Sequence, residues 1–410
     1  MTERRGILAG LRMVEASAFV AAPLGGMTLA QMGADVIRID PLGGGLDYRR
    51  WPVTDDNVSL FWCGLNKGKR SVTIDLSGPE GRELASALIA APGDAGGILL
   101  TNFPPRGCFD YDALRAMRPD LIQLTISGDR EGGSAVDYTV NPRVGMPSLT
   151  GDASAERVVN HVLPAWDLVT GHMAAVGVLA AERHRRMTGE GQHIRLALED
   201  MALAVMGHLG FIAEAQLGTK RARTGNDLYG AFGRDFVCAD GVRVMVVALT
   251  GKQWKALCRA TELQPAIAQL AANTGLDLDR EGNRFIARAA IAGLIEPWIS
   301  ARAFAYVADT FKAHGVCWGK YQTVSQLVLD DPACSTANPL FSHVDQPGVG
   351  RVLAPGSPLN FSAFERLSAS AAPLLGQHTE EVLASVLGLS GAALGRLVDK
   401  GVVGRLVDAA

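Results

Sequence analysis

The sequence predicts an α/β fold in which a doubly wound parallel sheet is accompanied by a smaller α+β region. Short β-branched segments alternate with helical segments over roughly the first 200 residues, the pattern of strands joined by crossover helices. After about residue 215 the pattern changes to a hairpin signal followed by helices. The length of 410 residues also exceeds what one hydrophobic core usually serves, so at least two domains are expected.

Each predicted strand of the sheet is a short apolar run next to a turn or a helical segment. These strands are residues 11–16, 35–40, 71–74, 97–100, 121–127 and 192–197. Apolar and small residues at helical spacing predict the intervening helices at 23–32, 79–90, 111–117 and 164–186. Ligands of such sheets bind beyond the carboxyl ends of the strands, where Arg38, Asp75 and Asn102 fall.

The second half of the chain indicates a smaller domain. Asp240-Gly241 joins two predicted strands at 235–238 and 242–247, and helices are predicted at 251–261, 284–298 and 303–314. Residues 332–358 are rich in Pro and Gly and predict a long return segment, followed by helices at 378–387 and 390–397. The predicted division is residues 1–215, 225–330 and 331–410.

Composition argues against several partners. A net charge of −3 gives no reason to expect binding to nucleic acid or to an anionic membrane. Six cysteines without CxxC spacing predict neither a zinc site nor a redox pair, and fit a reducing compartment. Charges, Pro and Gly interrupt the early apolar run, which therefore makes a poor signal peptide or membrane span. A cytoplasmic protein is expected.

Asp167 is the strongest candidate for chemistry. It precedes a long helical pattern, where helix-end amides and the dipole favour an anion. A carboxylate kept ionised in a pocket can act as a nucleophile. The competing interpretation is an ordinary helix N-cap, a position where Asp is common.

Other segments support binding of a ligand without naming it. The basic run 66–70 could hold phosphates or be a solvated loop, and Asn102-Phe103 could stack on a purine or form a turn. The loop 225–235 mixes Gly with aromatic residues and could either close over a ligand or link two domains. GxGxxG, GxxxxGK[ST], HExxH and GxSxG motifs are absent, which argues against dinucleotide, P-loop, zinc-hydrolase and serine-hydrolase chemistry.

Together these features resemble the family III CoA-transferases, the group that includes formyl-CoA and carnitine CoA-transferases. The resemblance rests on GADVIR at 33–38, NKGKRSVTIDL at 66–76, Asn102-Phe103, Asp167 with Gly171, AERH at 181–184, TGEGQ at 188–192 and PLLGQHT at 373–379. It implies a homodimer of two interlocked, ring-like chains. Each chain would have a large Rossmann-like domain built from both chain ends and a small inserted domain.

The resemblance also implies the site. The family's aspartate nucleophile maps onto Asp167. Its CoA contacts map onto Ser17, Ala18, Arg38, Asp75, Leu76, Ser77, Asn102, Phe103, Pro104 and Tyr138. The implied ligand is a small-molecule acyl-CoA, so that CoA is part of the substrate and no permanently bound cofactor or metal is expected.

Four segments resemble more closely a branch of the family that moves CoA between the two carboxyls of mesaconate. They are residues 17–54, 136–142, 158–173 and 228–236. This implies intramolecular transfer through an aspartyl-CoA thioester on Asp167. Where formyl-CoA transferases carry a run of glycines, residues 229–233 are bulkier, which fits a closed pocket that retains one diacid.

Three alternatives stay open at this point. One is intermolecular CoA transfer from an acyl-CoA to a free carboxylic acid. Another is an α-methylacyl-CoA racemase, although residues 136–141 lack the histidine that such racemases carry there as a base. The third is a catalytically silent CoA-binding or regulatory protein, which would not need Asp167.

Overall fold

The computed structural model describes residues 6–152, 154 and 157–406. The chain forms two compact units. The first comprises the chain up to Val144, then Val162–Gln216 and the chain from Pro332 onward; the second comprises Gly145–His161 and Leu217–Asp331.

A six-stranded parallel sheet is the centre of the first unit. Its strands are β1 (Arg12–Ala16), β2 (Asp35–Asp40), β3 (Arg70–Thr73), β4 (Ile98–Thr101), β5 (Ile122–Ser127) and β6 (Gln192–Ala197). Their order is β3-β2-β1-β4-β5-β6, and every neighbouring pair is parallel. The predicted α/β fold with a parallel sheet is confirmed. The strand order reverses between β1 and β4, which in this topology opens a crevice for ligands.

Eight helices of the first unit connect or flank these strands. They are α1 (Ala21–Ala30), α2 (Leu60–Leu65), α3 (Pro79–Ile89), α4 (Tyr111–Met117), α5 (Asp137–Arg143), α6 (Ala165–Thr188), α7 (Leu198–His208) and α8 (Phe211–Gln216). Helices α2, α5, α7 and α8 were not predicted from the sequence.

Helices α1 and α6 pack on one face of the sheet and cross each other closely. Small residues permit this approach: a Cβ at Gly171 would lie 2.7 Å from the carbonyl oxygen of Ala21. Ala174 and Val178 of α6 are buried in the same core as Leu100 and Leu124 of the sheet. The N-terminal turns of the two helices therefore lie side by side.

The second unit has its own sheet and core. Strands β7 (Phe232–Val237), β8 (Arg243–Ala248) and β9 (Cys317–Lys320) pair antiparallel, which confirms the predicted hairpin. Its helices are α9 (Gly251–Thr261), α10 (Gln264–Thr274), α11 (Glu281–Ile286), α12 (Arg288–Ser300), α13 (Phe304–His314) and α14 (Val324–Asp330). The prediction of a single helix at 284–298 is wrong, since the helix is interrupted at Ala287, between α11 and α12.

The C-terminal segment returns to the first unit. The predicted return segment contains a hairpin that was not predicted, β10 (Phe341–Gln346) with β11 (Gly350–Pro355). Helices α15 (Thr379–Leu387) and α16 (Gly391–Asp399) follow. Val382 and Leu394 of these helices share a core with Ile74 and Leu88, so both ends of the chain build the face of the sheet opposite α1 and α6.

Candidate active site

The ends of β1 and β4 meet at the point where the strand order reverses. The side chain of Asn102 accepts a hydrogen bond from the Ala18 N–H (3.0 Å) and donates one to the Ala18 carbonyl (2.8 Å). Both polar groups of the Asn102 amide are thus bonded to the protein. Asn102 therefore joins the two strand ends. Of the two predicted CoA contacts at 102–103, Phe103 is the one that lines a cavity.

Arg38 lies at the centre of a buried network beneath this edge. Its side chain is 0% exposed. The guanidinium donates to Asp40 (3.0 Å), to Asn66 (3.0 Å), to the Ser17 carbonyl (3.0 Å) and to Asp47 (3.0 Å). The surrounding carboxylates outweigh burial and raise the pKa of Arg38. The predicted CoA contact at Arg38 therefore shows, in this structure, a guanidinium fully engaged with protein groups.

The basic run before β3 belongs to the same network. Lys69 is buried and donates to Glu15 (2.8 Å), to Asn66 (2.9 Å) and to the Pro23 carbonyl (2.9 Å). Burial lowers the pKa of Lys69 to about 8. Lys69 thus ties β1 and α1 together, and the expectation that the run is a solvated loop or a phosphate grip is wrong for this residue.

The loop between β1 and α1 is held in a strained conformation. Phe19 has a φ of 68°, in the left-handed region that side chains other than Gly rarely adopt. Its N–H donates to Asp47 (3.1 Å), which Arg38 fixes in turn. Such backbone strain persists only where the surroundings impose it, as at binding sites.

A cavity of about 240 Å³ opens at the carboxyl edge of the sheet. Its lining includes Ser17 after β1, Asp40 at the end of β2 and Phe103 after β4. Phe103 also stacks on Phe109, with ring centroids 6.1 Å apart. Two of the predicted contact residues, Ser17 and Phe103, therefore line one cavity.

Residues 75–77 lie beyond the neighbouring strand, β3. Asp75 accepts hydrogen bonds from the Ser77 N–H (2.9 Å) and hydroxyl (2.6 Å), which lower the pKa of Asp75. The Leu76 carbonyl accepts from Arg82 (3.1 Å). Leu76 is half-buried and Ser77 is exposed, as is Pro104 on the loop after β4. All these positions follow parallel strands and share the carboxyl edge of the sheet.

Asp167 lies in the first turn of α6, where it is half-buried. The N-cap of this helix is Pro164, so the interpretation of Asp167 as an N-cap is wrong. Burial, and after it the Asp137 carboxylate, raise the pKa of Asp167 to about 7 against the opposing charge of Arg50. Desolvation and the like charge thus outweigh the stabilising effect of the helix N-terminus, which was expected to keep the carboxylate ionised.

Asp137, on α5, holds the backbone of the candidate nucleophile. Its carboxylate accepts hydrogen bonds from the N–H groups of Trp166 (2.7 Å) and Asp167 (3.1 Å). One helical turn later, Asn141 accepts from the Trp166 indole (3.2 Å). Neither Asp137 nor Asn141 was singled out from the sequence. Their i, i+4 spacing ahead of residues 164–167 is the signal that could have found them.

Tyr138, the predicted contact on α5, is adjacent to this anchor. Its side chain is 47% exposed, and its hydroxyl donates to the Val162 carbonyl (3.0 Å). The ring therefore has an accessible face within the segment that positions Asp167.

The glycine- and aromatic-rich loop lies in the second unit. Phe232 is 0% exposed and belongs to that unit's core. Tyr229 is 43% exposed, with its ring 5.0 Å from Phe285 and 3.8 Å from the Arg221 guanidinium. Of these two aromatic residues, only Tyr229 presents its ring at the surface of its unit.

The described part of the chain has neither a cluster of metal-binding side chains nor a helix suited to a membrane. Residues 6–152, 154 and 157–406 contain no group of three or more His, Cys, Asp or Glu placed to hold a metal ion. None of the helices among the same residues combines the length and apolar character needed to cross a membrane.

Comparisons with known proteins agree on one family. The pattern that defines CoA-transferase family III matches residues 8–379. The chain is 60% identical to a 2-methylfumaryl-CoA isomerase of Chloroflexus aurantiacus, over 97% of this chain and 98% of the relative. It is 30% identical to a succinyl-CoA:mesaconate CoA-transferase of Haloarcula marismortui, over 92% and 96%. A crystal structure of a CaiB/BaiF family protein from Brucella suis superimposes with a TM-score of 0.74 at 26% identity, covering 93% of this chain and 100% of that one.

Proposed function

Since this chain belongs to the family III CoA-transferases, we propose that it transfers CoA between the two carboxyls of mesaconate, converting 2-methylfumaryl-CoA to 3-methylfumaryl-CoA. The supporting observation is the 60% identity to a 2-methylfumaryl-CoA isomerase over nearly the full length of both chains. Identity to the succinyl-CoA:mesaconate CoA-transferase is half as high.

In the proposed mechanism Asp167 is the nucleophile. A carboxylate oxygen of Asp167 attacks the thioester carbonyl, the C–S bond breaks, and CoA leaves as a thiolate while a mixed anhydride forms. The thiolate then attacks the acyl carbon of Asp167. Mesaconate is released into the pocket as a dianion, and the enzyme carries an aspartyl-CoA thioester.

The second half reverses these steps at the other end of the diacid. The other carboxylate of mesaconate attacks the aspartyl thioester and expels CoA thiolate. The thiolate attacks the mesaconyl carbonyl, which gives the isomeric thioester and restores the Asp167 carboxylate. Bonds and charges balance without an oxidant or reductant. Holding the diacid in place favours this route, because an intramolecular partner has a high effective concentration.

The environment of Asp167 supports this role. With a pKa of about 7, Asp167 is ionised in about half of the molecules at neutral pH. Its partial burial leaves this carboxylate less solvated. The first N–H groups of α1, at Ala21 and Ala22, have no acceptor within the helix and lie beside α6. We assign them to the oxyanions, where one donor is typically worth about 3 kcal/mol.

For CoA itself we propose the carboxyl edge of the sheet. Ser17 and Phe103 line its cavity, and Ala18, residues 75–77, Pro104 and Tyr138 complete the proposed contacts. Because Arg38 and Asn102 are bonded to protein groups, we assign them to positioning this edge.

We further propose a cytoplasmic homodimer of two interlocked chains, each with a large domain built from both chain ends. An apolar stripe on α6 supports a second copy. Val169, Met173 and Val176 lie at i, i+4 and i+7 and are all exposed. Sedimentation of the purified protein should give the mass of a dimer, and the mass of a single chain would contradict this proposal.

The deciding experiment is incubation with 2-methylfumaryl-CoA alone, followed by chromatography. Appearance of 3-methylfumaryl-CoA without any added acid supports the proposal, and no conversion contradicts it. Isotope-labelled free mesaconate should stay out of the thioester; rapid uptake would establish intermolecular transfer instead. Solvent deuterium next to the thioester carbonyl would indicate a racemase. Asp167→Ala should lose turnover and keep CoA binding, and hydroxylamine should trap the acyl group on Asp167 of the wild type.

A further inference from the structure

Arg50 is a cation whose charge acts on Asp167 and which the mechanism above leaves unused. We propose that Arg50 binds the free carboxylate of the diacid and thereby keeps the released diacid in the site. This inference rests on the proposed function, since only a substrate with a second carboxyl offers this group.

Two aromatic rings support the Arg50 guanidinium. Its carbon lies 5.2 Å from the ring centroid of Phe61 and 5.6 Å from that of Phe19, distances at which a ring face attracts a cation. Phe19 is itself fixed, because Asp47 accepts its N–H while its backbone is in the left-handed region. The charge is therefore positioned by neutral rings.

The packing of α1 on α6 links the surroundings of Arg50 to the helix that carries Asp167. Phe19 lies two residues before the start of α1, and the Ala21 carbonyl abuts Gly171 of α6. Asp167 lies one turn before Gly171 on the same helix. In agreement with this path, the Arg50 charge opposes the rise that burial and Asp137 cause in the pKa of Asp167.

The guanidinium of Arg50 has its donors available. Among residues 6–152, 154 and 157–406, Arg50 makes neither an ion pair within 4.0 Å nor a side-chain hydrogen bond, and it is exposed. Arg38, in contrast, is buried and engaged on every side. An available guanidinium can bind a carboxylate through two parallel hydrogen bonds.

The reaction gives this cation a defined task. Once the aspartyl-CoA thioester has formed, mesaconate is a dianion that is no longer covalently attached. Asp137 adds a further negative charge nearby. Arg50 offsets this repulsion and retains the diacid until its second carboxylate attacks the thioester.

The test compares Arg50→Gln and Arg50→Lys with the neighbouring exposed residue changed in the same way, Arg49→Gln. Each protein is incubated with 2-methylfumaryl-CoA in the presence of isotope-labelled free mesaconate. The isomeric product, free mesaconate and label in the thioester are measured separately. Circular dichroism checks the fold, and hydroxylamine trapping checks whether Asp167 is still acylated.

For Arg50→Gln we expect normal folding and acylation, a KM raised about 10- to 100-fold by loss of a charged contact, and label entering the thioester. Arg50→Lys should fall between, and Arg49→Gln should exclude label as the wild type does. If Arg50→Gln isomerises with unchanged KM and excludes label, the role of Arg50 is refuted while the proposed function stands. If the wild type itself takes up label or fails to isomerise, the proposed function fails first.

Discussion

Replacing Asp167 by Asn should stabilise the folded protein and abolish acyl transfer. The folded chain holds the proton of Asp167 more tightly than the unfolded chain does, because burial and Asp137 raise its pKa from 3.8 to about 7. Ionising the folded side chain therefore costs stability. The cost is absent below the unfolded pKa and complete above the folded one. Asn carries no charge and removes it at every pH.

The size of this effect follows from the two pKa values. At about 1.4 kcal/mol per pKa unit, the difference between 3.8 and about 7 corresponds to about 4 kcal/mol. Asp167 keeps some access to water, which screens part of this energy. We therefore expect Asp167→Asn to gain about 2 kcal/mol at pH 8 and clearly less near pH 5.

Urea and thermal unfolding of both proteins between about pH 5 and 8 would measure the gain, and chromatography of the reaction would measure turnover. Asp56→Asn, in an exposed loop, controls for the loss of one negative charge. A gain that is independent of pH, or a loss of stability at pH 8, would refute the electrostatic account. Turnover retained near the wild-type rate would refute the nucleophile assignment.

The remaining predictions test the same site from its neighbours. Because only the carboxylate attacks, kcat/KM should decrease below about pH 7 and approach a tenfold decrease per pH unit. A flat profile from pH 5 to 8 would contradict the raised pKa of Asp167. Asp137→Asn should move this acidic limb to lower pH, since it removes a like charge while its amide oxygen can still accept the two N–H groups; an unmoved limb would exclude coupling between the carboxyls. Gly171→Ala should cost about 1–3 kcal/mol of stability and slow turnover, because the new Cβ lies 2.7 Å from the Ala21 carbonyl. Gly207→Ala, in a helix with room for a methyl group, should do neither.

Much of the first unit's sheet could be predicted from local pattern. The six strands fall within a residue or two of their predicted bounds, because buried parallel strands are continuous apolar runs between helices. The hairpin of β10 and β11 was missed because its strands are polar at several positions and lie in a Pro- and Gly-rich segment. Helix α5 was missed because it is short and contains Pro142.

The candidate site divides in the same way. Asp167 could be identified from its position before a long helix and from the family resemblance. The role of Asp137 in holding the backbone of residues 166 and 167 could not be predicted, since its hydrogen bonds join residues 29 and 30 positions apart. Phe232 was assigned to a loop that could close over a ligand or link two domains, yet its side chain fills the core of the second unit.

The sequence by itself determined the parallel α/β sheet, the family and the carboxylate proposed to carry the acyl group. Only the tertiary structure decided how the charges are used. Carboxylates engage Arg38, Arg50 is left available, and the pKa of Asp167 is raised to about 7. The physical reason is range. Periodicity and motifs are local along the chain, whereas desolvation and charge pairing depend on groups that only folding brings together.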